Sequence, residues 1–156
     1  MTTVRMIYDW LDGWAPFAAA MSFDNAGLLT GSGEESVSAA LLALDITPAV
    51  VEEAKEAGAQ LIVSHHPVIF VPLRRLVPGS APYLLCEAGI AAICAHTNLD
   101  LAPGGVNTCL AERLGLSRVR PLSLDEPSGL PESLCGELPS PLSPEAFARH
   151  VKKALG

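Results

Sequence analysis

Between Ala39 and Ala95 the chain states the same strand–helix–strand grammar in two successive steps, and few folds accommodate that. The apolar run Ala39-Ala40-Leu41-Leu42-Ala43-Leu44-Asp45-Ile46 is followed by Thr47-Pro48. Threonine is a favoured N-cap and proline is well placed at the first helical position. The spacing predicts a helix over 48–57, with Val50, Val51, Ala54 and Ala57 on one face and Gly58 as a left-handed cap. The alanines and leucines of the preceding run suit a helix too, but its length and the Thr47-Pro48 flank favour a strand apolar on both faces. A strand over 60–64 follows at once. Residues 83–89 read as a second helix, closed by Gly89, that leads into a strand over 90–95. Two strands joined through a helix form a βαβ unit, whose crossover is right-handed. The expected class is α/β: βαβ units forming a mixed or mostly parallel sheet with flanking helices.

The chemistry collects where these strands end. Leu61-Ile62-Val63-Ser64 runs into His65-His66-Pro67, and Ile90 to Ala95 runs into His96-Thr97-Asn98-Leu99-Asp100. Asp45 ends a third strand. Ligands of open α/β sheets bind beyond the carboxyl ends of the strands. Neutral imidazoles and carboxylates suit divalent ions such as zinc, iron or manganese. Adjacent strand residues face opposite ways, so His65 and His66 can serve one centre only if the chain turns, which Pro67 allows. A single histidine at a strand end is more often a hydrogen-bonded structural residue than a ligand. Two adjacent ones plus a His-x-x-x-Asp at the neighbouring strand end shift the balance towards metal. Asp45 has a structural reading, as an acceptor for backbone donors at the start of the 48–57 helix. Asp24 and Asn25 read as turn formers. Arg74-Arg75 reads as a solvated or interface pair.

Around this centre the sequence is less regular. Val4, Ile7, Leu11 and Trp14 are spaced for a helix, with Thr2 or Thr3 as its cap. A short helix over 17–21 is weakly indicated, and 22–31 reads as a structured loop entering a short strand. A further helix is expected over 107–114, closed by Gly115. We assign 1–120 to an N-terminal α/β domain carrying the site. Residues 121–142 read as a proline-rich connection, with a possible short strand over 134–138. Residues 143–156 read as a helix that starts at Ser143-Pro144-Glu145 and opens a second region.

Composition narrows the function classes. Ten basic residues stand against seventeen acidic ones, giving a net charge of −7. Binding a polyanion rests on clustered lysine and arginine, so neither nucleic acid nor an anionic membrane surface is an expected partner. No basic N-terminal region precedes a long apolar stretch, and no window approaches a membrane span, so a cytoplasmic location is expected. The four cysteines form no C-x-x-C pair and read as reduced, mostly buried thiols.

The segments Phe23-Asp24-Asn25-Ala26-Gly27-Leu28, Leu44-Asp45-Ile46-Thr47-Pro48, Ser64-His65-His66-Pro67 and His96-Thr97-Asn98-Leu99-Asp100, with Pro103-Gly104-Gly105-Val106-Asn107 after them, resemble the Nif-three-like dinuclear metal-centre proteins. Some members of that family are labelled GTP cyclohydrolase-like. The resemblance implies a protein that holds two divalent metals and assembles as a ring-shaped hexamer. It implies His65, His66 and Asp100 as ligands, with His96 and Asp45 as neighbours of the site. A nucleotide-like small molecule is the implied partner. The family also supplies a histidine and a glutamate from a later His-x-x-x-Glu segment, which this sequence does not contain; Ala154 stands four places after His150. The expectation is therefore a C-terminally shortened form, or one whose missing half comes from another chain, holding at most one tightly bound ion per isolated chain. Hydrolase-like chemistry at an incomplete two-metal site is the first functional reading, and a non-catalytic metal-binding or oligomeric scaffold is the alternative.

Overall fold

The computed structural model describes residues 1–156, which divide into two compact units, Met1–Leu99 and Asp100–Gly156. In the first unit, α1 (Val4–Trp14) leads through a single 3₁₀ turn (Phe17–Ala19) to β1 (Gly27–Thr30). Then come β2 (Ala40–Ala43), α2 (Pro48–Glu56), β3 (Leu61–Ser64), α3 (Ala81–Ala88) and β4 (Ala91–Cys94). The four strands lie in the order β1-β4-β3-β2. β2, β3 and β4 are parallel, and β1 joins β4 antiparallel. This is the expected mixed, mostly parallel sheet, in which the helix after β2 and the helix before β4 supply the crossovers.

The helix boundaries follow from their caps. Thr3 and Thr47 each accept a hydrogen bond from the backbone N–H three residues on, those of Met6 and Val50. Gly89 ends α3 at φ 64°, a left-handed conformation that costs glycine little. Strand alternation then distributes the core. Leu61, Ala91 and Ile93 pack with Val4 and Leu11 of α1. Ile62 and Ala92 face the other way, into a cluster with Val51 and Ala54 of α2 and Ala81 and Leu85 of α3. The central strands β3 and β4 are thus covered on both faces. Where β1 leaves β4, the backbones come close. A Cβ on Gly31 would stand 2.8 Å from the Ala91 Cβ, at a φ of 97° that other residues rarely adopt.

β2 differs from the expected buried strand. It is the edge of the sheet, shorter than the apolar run, and Leu42 and Leu44 are 78% and 62% exposed. A strand with one neighbour has a flank that nothing in the sheet covers, and composition alone does not tell it from a central one.

The second unit contains α5 (Val106–Arg113), β5 (Ser117–Leu124), β6 (Pro131–Glu137) and α6 (Pro144–Leu155); α4 (Thr97–Leu101) precedes these and runs through the boundary. β5 and β6 form an antiparallel ribbon with three register shifts. Half of the stretch read as a connection, residues 121–124 and 131–137, is therefore strand. Seven of the eight β5 residues are exposed, Pro121 sits within the strand, and the shifts break the period-two pattern by which a strand is recognised. α6 is capped by Ser143, whose Oγ accepts from Ala146 N, and it buries none of its residues. No helix is long and apolar enough to cross a membrane. All four cysteines are free, but only Cys94 is buried; Cys86 and Cys109 are exposed and Cys135 is half-buried. The expectation of mostly buried thiols is thus corrected: Cys86 and Cys109 lie on outward faces of α3 and α5.

Candidate metal centre

The parallel ladder sets where three imidazoles meet. Ser64 is paired with Cys94 in the β3–β4 register, so both strands end at one level, and Ala95 N donates to Ser64 O at 2.9 Å. On the other side, His65 N donates to Ala43 O (3.2 Å) and His66 N to Leu44 O (2.8 Å). The chain bends at residues 65–66, ahead of Pro67. The bend is held by Ser64 Oγ donating to His66 O at 2.8 Å and Cys94 Sγ donating to His65 O at 3.1 Å. Two rings that a straight strand would send apart therefore stand together, their centroids 5.0 Å from each other. The His96 ring lies 5.1 Å from His65 and 5.7 Å from His66. One nitrogen from each of the three lies within 4.8 Å of the others.

Each ring is steered through its Nδ1. His65 Nδ1 is 3.0 Å from Ala95 O, His66 Nδ1 is 2.8 Å from Asp45 Oδ1, and His96 Nδ1 is 2.8 Å from Asp24 Oδ1. A carbonyl or carboxylate oxygen only accepts, so in each case Nδ1 carries the hydrogen. In the neutral form of such a ring the lone pair sits on the other nitrogen, Nε2. That tautomer is the one that binds divalent transition ions, and the oxygen behind it raises its basicity and fixes its plane. Three imidazole nitrogens suit zinc, iron or manganese. The donor set fits a divalent ion.

The carboxylates behind the rings are built differently. The Asp24 side chain is fully buried. Besides His96 it accepts from Thr97 N (3.1 Å), Thr97 Oγ1 and Asn25 N (2.6 Å). Burial alone pushes its carboxyl up, but these donors outweigh that and hold it below the usual carboxylate range. Thr97 Oγ1 in turn accepts from Met21 N at 2.9 Å, and Asn25 Nδ2 donates to Ile69 O at 2.6 Å. The 21–25 loop is stitched by these bonds to the start of α4 and to Ile69. Asn98, fully buried, donates from Nδ2 to Ala15 O (2.6 Å) and accepts from His96 N (3.0 Å). The Asp45 side chain, by contrast, is 58% exposed. It accepts from the His66 ring at 2.8 Å.

Of the residues singled out from sequence, His65, His66 and His96 come together and Asp45 stands behind His66. Asp100 lies in α4 and is the first residue of the second unit, where it lines a cavity of about 220 Å³ with Arg120 and Pro121. His150 is engaged elsewhere, its Nε2 2.8 Å from Leu114 O. Arg74 and Arg75 are exposed. Asp24 was read as a turn former, because its partners stand 72 and 73 residues further along the chain.

The chain is similar to known proteins. Residues 2–156 match the family model described as Duf34/NIF3 (NGG1p interacting factor 3). A GTP cyclohydrolase 1 type 2 homolog of Halalkalibacterium halodurans is 40% identical over 123 residues, which are 76% of this chain and 33% of that protein. A Staphylococcus aureus hypothetical protein of known crystal structure aligns with a TM-score of 0.88 at 30% identity, over 98% of this chain and 64% of that one. A Bacillus cereus protein related to NIF3 aligns at 0.76 and 38% identity, over 80% of this chain and 35% of that one. The chain spans about a third of the length of the curated relatives it matches.

Proposed function

This chain belongs to the Duf34/NIF3 family, and on that footing we propose that it is a divalent-metal protein whose ion is held by His65, His66 and His96. The observation that carries this is the threefold repetition of one device, an imidazole whose Nδ1 is tied to an oxygen, in three rings that bring one nitrogen each within 4.8 Å of the others. Asp100 is proposed as a further ligand on the family resemblance. An ion held here would supply Lewis acidity and a hydroxide nucleophile at neutral pH. The chain's own part is to orient the donors: Asp24 pins His96, Asp45 steers His66, and the Ala95 carbonyl fixes His65. We read the activity as hydrolysis of a nucleotide-like substrate, in line with the name of the cyclohydrolase homologs. The assembly is read as a homo-oligomer, a hexamer by resemblance.

A second reading, a metal-binding scaffold without turnover, draws support from the apolar surface of the first unit, where Trp10, Leu42 and Leu44 are each more than 60% exposed. Elemental analysis of desalted protein tests the common premise. About one zinc, iron or manganese ion per chain is expected, and loss of it in His65→Ala and His66→Ala. Protein that retains no ion would overturn both readings. Nucleoside triphosphate hydrolysis that EDTA stops and added metal restores decides for the first; its absence from the loaded protein decides for the second.

A further inference from the structure

A cavity of about 360 Å³ in the first unit is lined by Trp10, Trp14, Leu42, Val63, His65 and Leu99 among others, with no lysine or arginine among its walls. Its volume lies in the range of small-molecule sites, which are concave and mostly apolar with a few polar groups that set orientation. Three observations make it more than an exposed greasy face. First, it holds the only two tryptophans of the chain. Their rings lie 5.9 Å apart and tilted by 47°, so between them they offer two faces that are not parallel. Second, these large apolar groups are poorly covered: Trp10 is 66% and Trp14 40% exposed. Third, His65 belongs both to the cavity wall and to the imidazole cluster. Ala95, whose carbonyl fixes the His65 ring, lines the cavity as well.

The geometry points to this cavity as the binding site for the apolar part of the metal centre's ligand, a flat uncharged aromatic group of one or two rings carrying one donor atom. The aromatic body lies against Trp10 and Trp14, where ring-on-ring contacts add to the burial of apolar surface. Contact with His65 brings its donor atom to the cluster. The lack of a cation argues against a phosphate in this part of the site. A flexible alkyl chain would fit the volume but would lose rotamer freedom on binding and gain nothing from the two indole faces. The inference deepens the metal reading and rests on it for the donor atom alone; the aromatic cavity stands without a metal.

Because both tryptophans line the cavity, intrinsic fluorescence reports on it without a label. The test compares imidazole with 4-phenylimidazole, titrated into metal-loaded and into EDTA-treated protein. In the loaded protein, 4-phenylimidazole is expected to quench tryptophan emission saturably and to bind about tenfold tighter than imidazole, the gain expected from burying one ring. Trp10→Ala and Leu42→Lys change exposed side chains and should fold; each should remove most of that gain while metal content stays unchanged. In EDTA-treated protein the phenyl compound should still quench, more weakly, and in the same Trp10-dependent way. That outcome upholds the cavity even if elemental analysis denies the metal. The cavity assignment falls if the phenyl ring gives no gain over imidazole while metal is bound, or if both variants bind like the parent. It falls equally if the emission shifts with protein concentration alone and Leu42→Lys abolishes the shift, for then a second copy of the chain covers the tryptophans.

Discussion

The two histidine–aspartate pairs of the centre have the same atoms in contact at the same distance, Nδ1 to Oδ1 at 2.8 Å, and yet they are different devices. In His96–Asp24 the histidine side chain is 19% exposed and the carboxylate is fully buried, with three further donors on it. In His66–Asp45 the two side chains are 45% and 58% exposed. A buried carboxylate must have its lone pairs satisfied, so Asp24 is fastened to the loop that precedes β1 and to the start of α4 at once. Asp45 is solvated, and water can replace whatever it loses. The same contact is therefore a structural pin in one arm and an adjustable strut in the other.

The largest effect is expected from Asp24→Ala. It removes an acceptor from Thr97, Asn25 and His96, leaves buried donors unmatched, and should cost about 2–4 kcal/mol in denaturant unfolding. Metal affinity should fall with it, because His96 loses its orientation. A change within about 0.5 kcal/mol would erase the distinction between the arms. Next comes Asp45→Ala. Metal affinity should drop by about 10- to 100-fold in competition with a chelator, the usual consequence of losing the oxygen behind a ligating ring. Unfolding should stay within about 0.5 kcal/mol of the parent, since the pair is open to water. Loss of stability rather than of affinity would show that Asp45 acts through the fold.

The smallest and most local effect concerns Cys94, whose thiol is pushed up to about 12, chiefly by burial and further by the nearby Asp24 charge. At pH 8 a thiol reagent should label the exposed Cys86 and Cys109 at least about tenfold faster than Cys94, because the thiolate is the reactive form. In Asp24→Ala that protection should shrink, while in Asp45→Ala it should persist; mass spectrometry of digested, labelled protein reads all three sites. Equal labelling of Cys94 in both variants would show that its shielding owes nothing to the buried arm.

Much of this was written in local sequence. Thr47-Pro48, Gly58 and Gly89 announce helix starts and stops, and the apolar runs that end in His65-His66 and His96 announce the strand ends. What joins them was not local. Asp24 meets His96 across 72 residues, and no periodicity or cap marks that contact in advance. Asp45 carries two readings in the sequence, an acceptor beside the Thr47-Pro48 helix start and a neighbour of the site, and the bond from His66 N to Leu44 O is what brings the imidazole within its reach. The edge position of β2 and the β5–β6 ribbon escaped for a related reason. Which face of β2 stays uncovered is set by elements elsewhere in the chain, and a strand interrupted by proline and register shifts leaves no clean period to read.

The in-step pairing of β3 with β4 has a practical corollary. The ladder fixes Ser64 beside Cys94 regardless of what the intervening chain does, and residues 70–79 form an exposed excursion between those anchors. That excursion is the natural splice point in the first unit: a reporter peptide or affinity handle inserted there would lengthen a detour without shifting either terminus of the span, so the imidazoles would keep their spacing while the molecule acquires a tether.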